Sequence, residues 1–416
     1  MTKNNPATHL LVFVCFALLA AFNVRLLWTV KDRILAGFGD FGHFYAAALI
    51  VRSGNAARLY DYEEHRQVQR DLFPDVDTRP EPLIFNHKAY ETLFWLPLTF
   101  FPYAAAVVSW ILINLLFLLA LSIALTRYLP AAWVALRIPW ILPVLASFPI
   151  LTVLIQGQDS IVLLGLYSLA LILLRRERHL LAGCVLALGL FKFQLILPFA
   201  GFFLVHRNWR FVSGFAAGSI VPLGISLWIT SFQGFFQFLG FLVRSNQGVT
   251  SPEQFGLYPE NMPNIRGILF KVLGGLAGNR LLFVLTAVLS VVAFGWAVRI
   301  SRRSCIEVRY ALAVMITLLV SYHLFVYDLT IALLPLLIIF DRIAGSARRR
   351  RLYELAFVAS SALLMTTPVH LVILYYGISA SYLVIPVCVL TVLAASAGGF
   401  RAIATSGGDA LMNEAI

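Results

Sequence analysis

The sequence predicts an all-α, polytopic integral membrane protein with a GT-C-like layout, and two observations support this prediction. Hydrophobic residues make up 60% of the 416 residues and charged residues only 12%, whereas a soluble domain carries about 25% charged residues. Apolar stretches long enough to cross a bilayer, about 20 residues each, recur between residues 10 and 395 with short polar breaks. We therefore expect one membrane-embedded domain over residues 1–400, followed by a tail at 401–416.

Charge, cysteine content and motifs exclude several other classes. The formal net charge is +12, but the basic residues stand in short clusters between apolar spans and do not form a nucleic-acid-binding surface. The four cysteines lie singly, so neither a disulfide framework nor a zinc spacing is present. The motifs of metalloproteases, ATPases and soluble nucleotide-binding folds are absent. We identify no metal-ligand set and expect no cofactor, although the sequence leaves a metal requirement open.

The basic clusters predict the orientation, because lysine and arginine are enriched in the short cytoplasmic loops of membrane proteins. Five clusters can all be cytoplasmic together: Arg127 with Arg137; Arg175, Arg176 and Arg178; Arg207 and Arg210; Arg299, Arg302, Arg303 and Arg309; and the arginines at 348–351. This arrangement places both termini in the cytoplasm of a cell with the chain in its plasma or inner membrane. It leaves residues 31–101 and 231–263 as two long external loops.

About twelve membrane segments are predicted from these apolar stretches. We place them at residues 9–30, 103–126, 139–155, 161–174, 210–230 and 281–298, in two hairpins at 311–339 and 355–395, and in two short helices between Arg178 and Arg207. The two short helices would meet at Lys192, and irregular backbone at membrane depth is tolerated only where protein or a water-filled cavity receives it. A short interfacial helix is expected just before residue 281.

Asp40 is the first candidate for a chemical role. It lies at the start of the first predicted external loop, with apolar residues on both sides. On position alone, such a carboxylate most often caps a helix or marks the membrane boundary. A carboxylate in a partly desolvated pocket also suits a general base, so we predict Asp40 as the catalytic residue.

Lys192 is the second candidate, because an ammonium group in mid-membrane costs roughly 2.5 to 3.5 kcal/mol and so usually has a function or an acidic partner. The alternative is a snorkelling lysine at the end of a short helix. Further polar residues lie at predicted external positions, where ordinary turns and interfacial side chains are also common. We predict that His323, Arg266, Gln156 and Gln158 join Lys192 in binding a phosphate or a sugar.

Several short motifs, in their order and spacing, resemble glycosyltransferase family 87, membrane enzymes of the GT-C class. The motifs cover most of the chain and are Asp40-Phe41, Tyr45-Ala46-Ala47, Gly54, Leu59-Tyr60-Asp61, Leu96-Pro97-Leu98, Phe101-Pro102-Tyr103, Gly157-Gln158, Gly183 with Lys192 and Gln194, Arg207 to Arg210 around Trp209, and the hairpin tip with His323.

The resemblance implies a membrane glycosyltransferase that acts at the extracytoplasmic face. It implies a polyprenyl-phosphate-linked sugar, typically mannose, as donor and a lipid or glycan as acceptor, with inversion in a single displacement. In enzymes of this class an acidic residue in the first external loop is the usual catalytic base, and Asp40 matches that position. Candidates for contacts on the acceptor side are then His43, Tyr45, Asn86 and His87.

Two departures from the family pattern leave the acceptor and the role of His323 open. Residues 86–90 replace a proline-rich stretch, and the Ser-Pro-x-Ser-Trp type sequence expected before His323 is absent. A rival interpretation is a lipid or solute transporter in which Asp40 and Lys192 form an intramembrane charge pair, and a third is a non-catalytic scaffold. The two long external loops and the lack of an internal repeat argue against a transporter.

The predicted topology is tested by reporter fusions at the two ends of one membrane segment. We expect alkaline phosphatase to be active when fused at Gly157 and inactive at Arg176, because the first is predicted to be external and the second cytoplasmic. A fluorescent protein that matures only in the cytoplasm should give the opposite pattern. Reporters that place both positions on one side of the membrane would contradict the predicted crossing by residues 161–174.

Overall fold

The chain is helical in the computed structural model, which describes residues 6–74, 83–129, 131–132, 134, 138–244, 258–346 and 351–397. No β-strand is present in these ranges, so the prediction of an all-α protein is confirmed. The predicted tail at 401–416, Arg137, the arginines at 348–350 and the middle of the second predicted external loop, residues 245–257, lie outside the described residues.

The α-helices of the described ranges are α1 (Pro6–Thr29), α2 (Lys31–Leu35), α3 (Phe41–Arg52), α4 (Tyr62–Leu72), α5 (Thr92–Trp95), α6 (Tyr103–Thr126), α7 (Ile141–Leu145), α8 (Phe148–Gln156), α9 (Ser160–Arg175), α10 (His179–Ala187), α11 (Phe193–Val205), α12 (Trp209–Arg244), α13 (Ile265–Leu273), α14 (Asn279–Ser301), α15 (Ile306–Val320), α16 (Leu333–Ala344), α17 (Arg351–Met365), α18 (Thr367–Tyr375) and α19 (Val384–Ala397). Short 3-10 segments lie between them at Ala56–Arg58, Ala89–Glu91, Leu96–Phe100, Leu188–Lys192, Pro259–Asn261, Val326–Ala332 and Ala380–Leu383.

Five helical stretches of the described chain are long and apolar enough to cross a membrane, which indicates a membrane protein. They are His9–Thr29, Tyr103–Thr126, His179–Val205, Trp209–Leu242 and Asn279–Ser301. Two further apolar helices, Ser160–Arg175 and Ala380–Ser396, are shorter. The roughly twelve predicted segments therefore include several that are not continuous helices of full length.

Prolines divide some of the predicted spans into shorter helices. The predicted span at 139–155 consists of α7 and α8, and Pro149 lies in the first turn of α8. In the predicted hairpin at 355–395, α17 ends just before Pro368, which lies in the first turn of α18. Proline has no N–H group to donate and its ring clashes with the preceding turn, so it fits the start of a helix and not its interior.

Two regions show how the chain deviates from straight spans. The predicted break at Lys192 is present, since α10 passes into the 3-10 segment Leu188–Lys192 before α11 begins. Helix α12 continues to Arg244, into the range assigned to the second external loop, and is kinked at Ser231, where φ is 59°. The range from 231 to 244 is thus helical and not a loop.

Helix α3 is held by a cluster of aromatic side chains. Phe44 stacks on Trp95 with ring centres 4.7 Å apart and planes inclined by 9°, and Trp95 packs on Trp110 at 4.2 Å. Phe41 contacts the edge of Trp95 at 5.7 Å. The larger apolar core is formed by α9, α10, α11, α15 and their neighbours, and Val162 packs against both clusters. The start of α3 therefore has a fixed position beside the start of α9.

Candidate active site

The turn between α8 and α9 carries the polar residues at the centre of the site. Gly157 ends α8 in the left-handed conformation, with φ of 69°, which glycine adopts without steric cost. A Cβ atom at this position would lie 2.5 Å from the Cβ atom of Phe41. The turn therefore packs directly on the start of α3, which brings Gln158 close to Asp40.

Asp40 occupies the N-cap position of α3, but its side chain makes no capping hydrogen bond to that helix. The Gln158 side-chain amide donates a hydrogen bond to Asp40 Oδ2 at 2.6 Å. The carbonyl oxygen of the same amide lies 3.4 Å from Lys192 Nζ, so Gln158 bridges the two predicted residues. A half-buried carboxylate with a fixed orientation has the properties that a general base requires.

Lys192 lies in a buried cluster of charged and polar groups. Its side chain is 2% exposed, and its Nζ atom lies 2.8 Å from Asp159 Oδ1 and 2.6 Å from Asp328 Oδ1. It also donates a hydrogen bond to Ser160 Oγ at 2.6 Å. Asp328 is itself held by the backbone N–H of Phe325, which donates to Oδ2 at 3.1 Å. The ammonium group therefore has two carboxylate partners within the protein.

His87, Glu91 and Asp159 form a second buried group beside Lys192. His87 Nδ1 lies 2.5 Å from Glu91 Oε2 and 3.7 Å from Asp159 Oδ2. Burial lowers the pKa of His87 to about 3, against an opposing effect of Asp159, so the imidazole is neutral near pH 7. Burial also raises the pKa of Glu91, and the neighbouring Asp159 raises it further. Among the described residues, these three have ligand atoms close enough together, within 4.8 Å, to hold a metal ion.

Arg266 and His323 supply further hydrogen-bond donors near the cluster, since Asp328, Arg266 and Lys192 all act electrostatically on His323. Arg266 donates to the Tyr322 carbonyl oxygen at 2.9 Å and its guanidinium lies 3.9 Å from the centre of the Tyr322 ring. No carboxylate of the described chain forms an ion pair with Arg266. Burial lowers the pKa of His323 to about 4, with Asp328 opposing, so this imidazole is a neutral N–H donor near pH 7.

The remaining predicted residues have different surroundings. The Tyr45 hydroxyl donates to a backbone carbonyl oxygen 2.7 Å away, which is a structural bond. His43 is buried, and its ring centre lies 6.5 Å from that of His87. Asn86 Oδ1 is buried and accepts no hydrogen bond from a described residue. Gln156, the last residue of α8, is half-buried. The roles of these four residues stay predictions.

The sequence alone does not identify Asp159 and Asp328 as the partners of Lys192. A signal exists, because a lysine at membrane depth usually has a function or an acidic partner, and Asp159 lies between the predicted segments 139–155 and 161–174 while Asp328 lies inside the predicted hairpin at 311–339. The choice between Asp40, Asp159 and Asp328 depends on the turn at Gly157 and on the start of the 3-10 segment Val326–Ala332. These local geometries are set by packing and not by composition.

The helical fold of the described residues, with several candidate membrane spans and a buried cluster of ionisable side chains, is that of a membrane protein with a candidate site inside it. A sequence model of glycosyltransferase family 87 matches residues 91–321, more than half of the 416-residue chain. The chain therefore belongs to glycosyltransferase family 87 and is a membrane glycosyltransferase, as the motifs predict. The matched range includes Gln158, Lys192 and Arg266, while Asp40 and His323 lie outside it.

No curated protein and no solved structure matches the chain.

The charge balance around Lys192 predicts the effect of removing its ammonium group. We expect Lys192→Met to destabilise the protein by about 3 to 5 kcal/mol, because Asp159 and Asp328 then remain buried without a cation. Thermal unfolding of the purified protein in detergent measures this change. Lys271→Met, which removes an exposed lysine of α13, is the matched control. An unfolding temperature of Lys192→Met equal to that of the wild type would show that the cluster does not stabilise the fold.

Proposed function

We propose that this glycosyltransferase moves a sugar, with mannose as the first candidate, from a polyprenyl-phosphate donor to a lipid or glycan acceptor at the extracytoplasmic face. The observation that carries the proposal is the half-buried Asp40 carboxylate, which Gln158 orients at the start of α3. The class of sugar donor rests on the family resemblance and on two hydrogen-bond donors, the basic Arg266 and the neutral His323. A lipid-linked donor needs no nucleotide-binding domain.

Asp40 acts as the general base of a single displacement. Its carboxylate takes the proton of the acceptor hydroxyl as the hydroxyl oxygen attacks the anomeric carbon of the sugar. The bond between the anomeric carbon and the phosphate oxygen breaks, and polyprenyl phosphate leaves with both electrons of that bond. Attack from the face opposite to the leaving group inverts the anomeric configuration. Gln158 holds the carboxylate in place through the 2.6 Å hydrogen bond.

Arg266 and His323 bind the phosphate of the donor. Arg266 has no carboxylate partner in the described chain, and its guanidinium is held in place by the Tyr322 ring and carbonyl group. A guanidinium group fits the geometry of phosphate oxygens and stays charged at any working pH. His323 adds a neutral N–H donor. These donors stabilise the charge that grows on the departing phosphate in a site of low dielectric constant.

For Lys192 we propose a positioning role in place of the phosphate contact predicted from the sequence. Because Asp159 and Asp328 neutralise its ammonium group, we assign the phosphate to Arg266 and His323. Lys192 holds the turn that carries Gln158 and so positions Asp40 indirectly. Gln156 and Gln158 remain candidates for contacts with sugar hydroxyl groups.

The acceptor approaches from the side of Asn86 and His43. Asn86 offers a buried amide oxygen that accepts no hydrogen bond from a described residue, and His43 lies near His87. Both residues lie in the segment 31–101, together with Asp40. Tyr45 supports this side through its bond to the backbone. No observation favours the transporter interpretation.

Removal of the base tests the role of Asp40. We expect Asp40→Asn to lower the rate of sugar transfer by about 100-fold or more, because the amide keeps the shape of the side chain and cannot take the proton. The measurement is the transfer of labelled mannose from polyprenyl-phosphate mannose in isolated membranes. Asp32→Asn, which changes an exposed carboxylate of α2, is the control and should keep the wild-type rate. Near-normal transfer by Asp40→Asn would refute the assignment.

Removal of the guanidinium group tests the phosphate site. We expect Arg266→Gln to lower kcat/KM for the donor by roughly 100-fold, because the phosphate loses its cation while the base remains intact. KM for the acceptor should change little. Arg280→Gln, at the exposed start of α14, is the matched control. Equal donor kinetics in the wild type and in Arg266→Gln would place the phosphate elsewhere.

A further inference from the structure

The group of His87, Glu91 and Asp159 has the composition and spacing of a metal site. One ligand atom from each residue lies within 4.8 Å of the others. Glu91 and Asp159 are fully buried, with 0% exposure, and come from two separate elements, the 3-10 segment Ala89–Glu91 and the turn before α9. Buried carboxylates without a cation are costly, whereas acidic groups at the surface are common.

The hydrogen bonds around this group are incomplete. No described residue donates a hydrogen bond to Glu91 Oε1 or to Asp159 Oδ2, although both atoms are buried. Asp159 turns its other oxygen, Oδ1, toward Lys192 at 2.8 Å. Almost all buried polar atoms have a partner, so these two carboxyl groups either share a proton with each other or face a partner that is not a protein group.

We propose that His87, Glu91 and Asp159 bind a divalent transition-metal ion, of which Mn²⁺ and Zn²⁺ are the representative members. The ligand atoms are His87 Nδ1, an oxygen of Glu91 and Asp159 Oδ2. One imidazole nitrogen with two carboxylate oxygens is a donor set that suits such ions, and Mg²⁺ or Ca²⁺ would prefer oxygen atoms alone. The remaining coordination positions are left for water.

The ion has a positioning role. Asp159 directly follows Gln158, whose amide orients Asp40, so an ion that fixes Asp159 also fixes the turn that holds the base. The inference does not depend on the proposed reaction, because metal binding is measured without any substrate.

Metal binding is tested on the full-length protein in detergent after removal of metal with a chelator. Titration with Mn²⁺, followed by electron paramagnetic resonance, should show a single tightly bound ion per chain, and Zn²⁺ should displace it. Bound Mn²⁺ should also raise the thermal unfolding temperature of the wild type. Absence of stoichiometric binding to the wild-type protein would overturn the proposal and favour the shared proton.

Variants locate the ion. Glu91→Gln and Asp159→Asn should each weaken Mn²⁺ binding by more than about 10-fold, the lower end of what even the outer partners of a metal site contribute. Glu64→Gln, which changes a buried carboxylate of α4 that pairs with Arg58, is the matched control and should bind Mn²⁺ like the wild type. Gel filtration checks that each variant is folded. Equal binding by the wild type and folded Glu91→Gln would show that the ion lies elsewhere.

Discussion

The ion cluster of Lys192 is the constraint on which the site depends. A buried ammonium group loses its hydration, and this cost is offset only when carboxylates and hydrogen-bond acceptors surround it in good geometry. Asp159, Asp328 and Ser160 meet this requirement at distances of 2.6 to 2.8 Å. The cluster joins the turn before α9, the 3-10 segment Leu188–Lys192 and the 3-10 segment Val326–Ala332. These three elements cannot move independently without separating buried charges.

Charge is distributed unevenly over the site. Carboxylates dominate around His87 and Asp159, whereas Arg266 and the neutral His323 lie toward Tyr322. Under the proposed function, a lipid phosphate is repelled by the acidic end and attracted to the guanidinium group. The same uneven charge explains why the group of His87, Glu91 and Asp159 needs neutralisation by protons or by a cation.

Much of the architecture follows from the sequence, because hydropathy and charge act over whole segments. Helix α6 begins and ends where the apolar run does, and the break at Lys192 follows from the cost of a charge at membrane depth. The helical course of α12 beyond Ser231 does not follow, since the topology predicted from the basic clusters assigns residues 231–263 to an external loop. Phe238 and Phe241 are nevertheless buried there, and this tertiary packing favours the helix.

In the site, the sequence identifies Asp40, Gln158 and Lys192, which the structure brings into one network. It does not identify which acids balance Lys192, because that choice depends on the turn at Gly157 and its contact with Phe41. The proximity of His87 and Asp159 is also a long-range contact that no local pattern encodes.

The order of the residues along the chain also matters for biosynthesis. Asp159 precedes Lys192, whereas Asp328 follows it by 136 residues. When residues 179–205 leave the ribosome, Asp159 has already been made, so the lysine can enter the bilayer as half of a neutral pair. Asp328 is made only after four further described helices, α12 to α15, have been synthesised. The span that contains Lys192 is therefore inserted before the site is complete. The site is complete only after the chain beyond α15, which contains Asp328, has been synthesised.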